Sequence, residues 1–154
     1  MILIKKLQKL HFYKIIKYIF YISENRLISY LWIGLGSALG GITRHWFSIF
    51  FDKLILSSMP WGTILVNTLG CFAIGCFSYL ISLDQKSLPV DFNSFLLIGF
   101  CGGFTTFSAF SMQSFNLIKN GEWLTMFGNI AISVIICLIA VFLGYFLTSV
   151  LKST

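Results

Sequence analysis

Charged residues are scarce in this chain. Asp, Glu, Lys and Arg together supply 10% of its 154 residues, whereas 57% are hydrophobic. Soluble domains carry about 25% charged residues, so the composition excludes a soluble globular protein. Helices satisfy their own backbone hydrogen bonds inside a bilayer, and the composition therefore indicates an all-α integral membrane protein.

Four segments of the chain are almost free of charge. Each meets or exceeds the roughly 20 residues that a membrane-spanning helix needs. They are residues 29–51, 61–83, 92–118 and 123–150. The connecting segments are too short to hold a soluble domain. We therefore predict a multi-pass, four-helix membrane domain over residues 29–154.

Acidic residues are the rarest charged type, because the chain has only five. None of them lies in a predicted span. Proton-coupled transporters normally carry the proton on an intramembrane carboxylate. This absence argues against a small multidrug or cation exporter, which is the main alternative class of small four-helix membrane protein.

Side chains suited to catalysis are also few. The four cysteines fall in predicted spans without CxxC spacing, and the two histidines are isolated. The sequence offers no metal-ligand cluster, no nucleophile with a plausible base and no phosphate-binding loop. We therefore expect that the protein is not an enzyme.

The positive charge is concentrated at the N-terminus. Residues 1–28 hold six of the eleven Lys and Arg residues and one acidic residue, Glu24. We predict a basic extension that is either an interfacial helix or disordered. A basic segment before a first span favours a cytoplasmic N-terminus beside anionic lipid. Nucleic-acid binding is not expected, because Ile, Leu and Tyr separate the lysines.

The third predicted span contains an unusual stretch, GFCGGFTTFSAF, at residues 99–110. Adjacent glycines and adjacent threonines both disfavour a helix. Their position predicts a break over residues 102–105, in the middle of the membrane. Such a break is tolerated where the freed backbone groups are buried in protein or line a polar cavity. Its carbonyls could hold a hard cation.

Polar and small residues recur at helical spacing in the first two spans. Gly36, Gly40 and Arg44 share one face, and the GxxxG spacing allows two helix backbones to approach closely. Arg44 either extends to the interface or lies near a pore mouth or a neighbouring helix end. Asn67 either makes an interhelical hydrogen bond or offers an N–H to an anion. The spacing does not decide between these alternatives.

The remaining polar groups are mostly hydrogen-bond donors. Thr106 and Ser108 follow the predicted break, and Ser133 lies on a polar stripe of the fourth span. Phe107 and Phe110 share a face, either as bulk toward lipid or with their electropositive ring edges toward an ion. A pathway lined by such groups favours a small anion over a cation. Four helices enclose little space, so we expect an oligomer.

Three blocks of sequence together resemble one family. GLGSALGGITRHW, PWGTILVNTLG and GFCGGFTTFSAF, in this order, are similar to the Fluc/CrcB family of fluoride channels over roughly residues 29–150. The resemblance implies passive export of fluoride across a bacterial plasma (inner) membrane. It also implies an antiparallel, dual-topology dimer with one structural sodium ion at its centre.

The resemblance also assigns residues to these roles. The sodium would be held by the backbone carbonyls of Gly102 and Thr105. The fluoride pore would be lined by the residues at the family's motif positions and by nearby hydroxyls: Asn67, Thr106, Phe107, Ser108, Phe110 and Ser133. Four further residues would support it: Gly36, Gly40, Arg44 and Gln113. The family often has a glutamate where this chain has the uncharged Gln113.

The charge distribution bears on the identity of the dimer partner. Lys86 and Lys152 lie on the predicted side of the basic extension, and only Lys53 and Lys119 lie on the other. This asymmetry predicts one fixed orientation. We therefore expect an oppositely oriented homologue as partner, with self-pairing as the alternative. A non-conducting partner subunit is a further alternative function.

Overall fold

The structure is a computed structural model that describes the backbone of residues 2–83 and 90–153 and the side chains of residues 26–83 and 92–152. Three uninterrupted helices are present: α1 (Ile2–Leu54), α2 (Trp61–Leu83) and α6 (Trp123–Ser153). The third predicted span is divided into two half-helices. The described residues contain no β-strand, in agreement with the predicted all-α class.

The N-terminal half-helix comprises three consecutive pieces, which are α3 (Val90–Asn93), a π-helical segment (Ser94–Cys101) and α4 (Gly102–Phe104). The C-terminal half-helix is α5 (Phe107–Lys119). Between them lie Thr105 and Thr106, which we call the break. Both have extended backbones, with φ and ψ of −83° and 157° at Thr105 and of −152° and 120° at Thr106.

Among the described residues, three helical stretches are long and apolar enough to cross a membrane: Trp61–Leu83, Ser94–Lys119 and Trp123–Lys152. They correspond to the last three predicted spans. The first predicted span, 29–51, lies within α1 but is less apolar, since Arg44 and several glycines lie in it. A fourth crossing therefore stays a prediction. The backbone of residues 2–28 is helical and continuous with this segment, and its interfacial location also stays a prediction.

The predicted break, over residues 102–105, overlaps the observed one only at Thr105 and begins three residues too early. Gly102 and Gly103 are helical, and the chain leaves the helix only at Thr105. Gly103 does not unwind the helix but allows it to pack closely against α1, because a Cβ there would lie 2.6 Å from the Ser37 carbonyl oxygen. A glycine pair can signal a close helix contact as well as a break, and the sequence does not distinguish the two.

Glycines allow α1 to contact the N-terminal half-helix closely. A Cβ at Gly36 would collide with the Phe95 carbonyl, and one at Gly40 would collide with the Phe100 carbonyl. Gly99 packs from the opposite side, where a Cβ would lie 3.0 Å from the Gly36 Cα. The half-helix before the break is therefore held against α1 by direct backbone packing.

A second glycine contact joins α2 to α6. A Cβ at Gly75 would collide with the Val141 carbonyl, and one at Gly144 would collide with the Phe72 carbonyl. These two positions lie on facing helices and exclude any larger side chain. They fix the separation of the two helices that flank the break.

Replacing Gly40 with alanine is expected to destabilise the fold. The added methyl collides with backbone, so the helices must separate, at a cost of about 1–3 kcal/mol. The matched control is Gly34→Ala on the same helix, where no atom lies within 4 Å. We expect the thermal unfolding midpoint in detergent to fall for Gly40→Ala and to be unchanged or raised for Gly34→Ala. Equal midpoints for the two variants would contradict the packing argument.

Candidate functional site

Asn67 of α2 holds the break in place. Its side-chain Oδ1 accepts a hydrogen bond from the Thr106 backbone N–H at 2.7 Å, and its Nδ2 donates to the Thr106 carbonyl at 3.1 Å. A single amide thus pairs both backbone groups of an extended residue, as a neighbouring β-strand would. Of the two alternatives for Asn67, the structure provides the interhelical hydrogen bonds. The second N–H of the amide keeps the anion-donor role open as a prediction.

Gly70 makes room for the break one turn along α2. A Cβ at Gly70 would collide with the Thr105 methyl group and lie 3.1 Å from the Phe104 ring. The Thr105 N–H and hydroxyl both donate to the Cys101 carbonyl, each at 3.0 Å. The Thr105 side chain therefore completes the last turn of the N-terminal half-helix.

Thr106 caps the start of the C-terminal half-helix. Its Oγ1 accepts a hydrogen bond from the Ala109 N–H at 3.1 Å and lies 3.1 Å from the Ser108 hydroxyl oxygen. Thr106 is therefore the N-cap of α5, a 13-residue helix. The N-terminus of a helix carries a partial positive charge of about half a unit, which favours a nearby anion.

The break changes the bonding of two backbone carbonyls. In an unbroken helix the Thr106 N–H would donate to the Gly102 carbonyl, but here it donates to Asn67. The Thr105 carbonyl accepts a hydrogen bond from the Arg44 guanidinium at 3.3 Å. Gly102 lies at the exposed surface of the single chain. Of the two predicted sodium ligands, the Gly102 carbonyl thus lacks its helical hydrogen-bond partner, and the Thr105 carbonyl contacts the Arg44 guanidinium.

Arg44 reaches the break from α1. Its hydrogen bond to Thr105 crosses 61 residues of sequence and is partly buried. Among the alternatives for Arg44, this contact corresponds to a position at a neighbouring helix end. The contact also places a fixed positive charge beside the break.

A first cavity, of about 250 Å³, adjoins the break. It brings together five predicted pore residues, which are Asn67, Thr106, Phe107, Phe110 and Ser133. Four other lining residues were not predicted to line the pore: Cys71, Thr105, Val134 and Cys137. Of these, Thr105 was predicted only as a sodium ligand through its backbone carbonyl. Helical spacing could have found the two cysteines, since each lies four positions after a predicted pore residue.

The two predicted pore phenylalanines differ in burial. Phe110 is 9% exposed, whereas Phe107 is 77% exposed on the surface of the single chain. Their ring centroids lie 5.3 Å apart at an interplanar angle of 45°. The Phe110 ring is therefore packed within this chain, whereas the Phe107 ring lies on the surface, where another molecule could contact it.

A second cavity, of about 440 Å³, lies on the other side of Thr106. It is lined by Ser108, Gln113 and Arg44 among the predicted residues, together with His45, Ser48, Thr63, Val66 and Ala109. The structure thus separates Ser108 from the Asn67 and Phe110 group. The Gln113 Oε1 atom is buried and has no hydrogen-bond partner among the described residues.

Ser133 belongs to a buried polar network between α5 and α6. Its hydroxyl lies 3.3 Å from the Asn129 Oδ1 and donates to it, and the Asn129 amide donates to the Ser114 hydroxyl at 2.9 Å. The Ser114 hydroxyl donates to the Phe110 carbonyl. The Ser133 proton is therefore engaged, and Ser133 must rotate its hydroxyl to donate toward the first cavity.

Among the residues that the structure describes, no acidic side chain lines either cavity. Within the part of the chain that the structure describes, no group of three or more His, Cys, Asp or Glu side chains could hold a metal ion. A hard cation near the break would therefore depend on backbone oxygens.

Comparison with known proteins identifies related sequences. The family model described as CrcB-like protein, Camphor Resistance (CrcB), matches residues 31–145. The chain is 46% identical over 119 residues to a fluoride-specific ion channel FluC of Methylocella silvestris, covering 77% of this chain and 91% of that protein. It is 39% identical over 127 residues to a protein of the same name from Paramagnetospirillum magneticum, covering 82% and 99%.

Replacing Asn67 with aspartate is expected to weaken the break. A carboxylate still accepts the Thr106 N–H, but it cannot donate to the Thr106 carbonyl, and leaving that group unpaired costs about 1–3 kcal/mol. The matched control is Asn116→Asp, at an exposed position of α5. We expect a lower thermal midpoint for Asn67→Asp only. If both variants unfold like the parent, the amide does not hold the break.

Proposed function

Because the chain belongs to the CrcB family, as its sequence blocks predicted, we propose that it is a fluoride-specific channel that exports fluoride passively and lowers its cytoplasmic concentration. The relatives that bear the FluC name support fluoride as the transported ion. The structural observation that carries the proposal is the first cavity, where five predicted pore residues, including the N-cap Thr106, lie together at the start of α5.

The chemistry of this region suits a small, strongly hydrated anion. Fluoride loses water only if other donors replace it, and the cavity offers the second N–H of Asn67 and the ring edges of Phe107 and Phe110. The start of α5 and the Arg44 guanidinium both add positive potential. The lack of an acidic lining residue in either cavity fits a passive anion pathway better than a cation exporter.

The proposed channel includes a structural sodium ion that is not transported. Hard cations prefer oxygen ligands, and the break leaves the Gly102 carbonyl without its helical partner. The Thr105 carbonyl has a second lone pair besides the one that Arg44 contacts. The carbonyls of Gly102 and Thr105 would hold the ion, which supplies a fixed positive charge near the anion path.

The proposed assembly is an antiparallel dimer in the bacterial inner membrane. The exposed ring of Phe107 and the surface position of Gly102 both support a second subunit over this face. The partner is an oppositely oriented homologue, because the asymmetry of Lys and Arg favours a single orientation for this chain. Self-pairing is the alternative.

Replacing Phe107 with isoleucine is expected to reduce fluoride flux. Isoleucine keeps the bulk but lacks a ring edge, and a loss near 1.4 kcal/mol at the barrier lowers flux about tenfold. The matched control is Phe115→Ile on the same helix, which is 55% exposed and outside both cavities. Efflux from liposomes is measured with a fluoride electrode.

This assay also separates the alternative functions. A cation exporter predicts no fluoride release but release of an organic cation driven by a proton gradient. A non-conducting partner subunit predicts fluoride release only after co-reconstitution with a second homologue. Equal flux from Phe107→Ile and Phe115→Ile would contradict the role of the ring.

Removing sodium is expected to lower fluoride flux. Without the ion, the carbonyls at the break repel one another and the added positive charge is lost. Liposomes are prepared with a large organic cation in place of sodium, and sodium is then restored. We expect flux to fall and then to recover. Identical flux in both media would refute the structural sodium.

The orientation prediction can be checked by labelling the last residue. In Thr154→Cys, the thiol is expected to be shielded from a membrane-impermeant maleimide in intact cells and labelled after lysis, because the N- and C-termini share the cytoplasmic side. The parent chain reports background labelling of its native cysteines. Equal labelling from both sides would show dual topology and favour self-pairing.

A further inference from the structure

The first cavity is lined by two cysteines that have no role in the proposed fluoride pathway. Cys71 follows Asn67 by one helical turn on α2, and Cys137 follows Ser133 by one turn on α6. Both thiols border the cavity of about 250 Å³ and are half-buried. On each helix, the cysteine therefore lies on the same face as the predicted pore residue one turn before it.

The two thiols border the same cavity from two neighbouring helices, and the packing of those helices fixes the cavity walls. Cys71 lies on α2 and Cys137 on α6, and both line the cavity together with Asn67 and Ser133. One turn further along both helices, Gly75 packs against the Val141 carbonyl so tightly that a Cβ would collide there. The layer that contains the thiols is thus next to a close backbone contact between α2 and α6.

We propose that Cys71 and Cys137 form a binding site for a monovalent soft metal ion, of the class of Cu⁺ or Ag⁺. Soft sulfur ligands select soft cations, and these ions accept two ligands in line. Structural Zn²⁺ sites need four ligands, and no suitable group of three or more side chains exists among the described residues. A hard alkali cation prefers oxygen and is not the expected occupant.

The charge balance suits a buried site. One thiol releases its proton to bulk water and binds as a thiolate, while the other binds as a neutral thiol through a sulfur lone pair. No electron is transferred. The added positive charge of the metal equals the charge of the proton that leaves, so the site stays neutral. A neutral complex avoids the large cost of burying net charge.

The functional consequence rests on the proposed function. An ion held between Cys71 and Cys137 occupies the cavity that Asn67 and Phe110 also line. Binding is therefore expected to obstruct the fluoride path. The binding itself does not depend on whether the protein conducts fluoride, so the two can be tested separately.

The test uses the full chain, purified in detergent in chloride-free buffer, with silver nitrate as the probe. Protein and silver are passed over a desalting column that contains a competing thiol, and bound silver is measured by elemental mass spectrometry. We expect the parent to retain about one silver ion per chain. Cys71→Ser and Cys137→Ser should each lose it. Cys76→Ser is the matched control, since Cys76 lies outside the cavity on the same helix as Cys71.

A second readout needs no variant and is independent of folding changes. Bound silver should protect Cys71 and Cys137 of the parent from alkylation, as measured by peptide mass spectrometry, while Cys76 reacts equally with and without silver. Silver retained by Cys71→Ser and Cys137→Ser, or protection of neither thiol, would overturn the site. In liposomes that conduct fluoride, silver should inhibit the parent and Cys76→Ser but not Cys71→Ser; inhibition of Cys71→Ser would overturn the obstruction alone.

Discussion

The pairing of the Asn67 amide with the backbone of Thr106 is the interaction on which the rest of the site depends. A bilayer offers no water to freed N–H and C=O groups, so a break in a spanning helix needs partners from the protein. One side chain supplies both a donor and an acceptor. The chain can therefore stop one helix at Phe104 and begin another at Phe107. Both cavities adjoin the residue that this amide holds.

Much of the fold could be predicted from apolar runs, but the position of the break could not. The bounds of α2 coincide with the prediction, because Pro60 and Trp61 mark a helix start. Gly103 weakens a helix locally, yet it remains helical since Ser37 of α1 occupies the space that a side chain would need. Intrinsic propensity is a weak prior that tertiary packing overrides. Only the neighbouring helix shows which role a glycine has.

The predicted pore residues were expected to line one pathway, but the structure divides them between two cavities. Phe107 and Phe110 are one turn apart and lie with Asn67 at the first cavity, whereas Ser108 and Gln113 face the second. The division follows from where α5 begins, because that start sets the rotation of every later side chain. A predicted break over residues 102–105, which begins three residues before the observed one, could not yield it. The sequence shows that Cys71 and Cys137 each lie one turn after a predicted pore residue. Only the structure shows that both line the same cavity.

In a single chain, the charges around the break favour an anion. A cation there would need additional ligands from a second subunit. Arg44 brings a positive guanidinium to the Thr105 carbonyl, and the start of α5 adds partial positive charge. A sodium ion beside them needs more oxygen ligands than Gly102 and Thr105 of one chain supply. A second break, brought by a partner, would double the number of carbonyls. The sodium hypothesis therefore depends on the dimer, since the carbonyls of a single chain are too few to surround the ion.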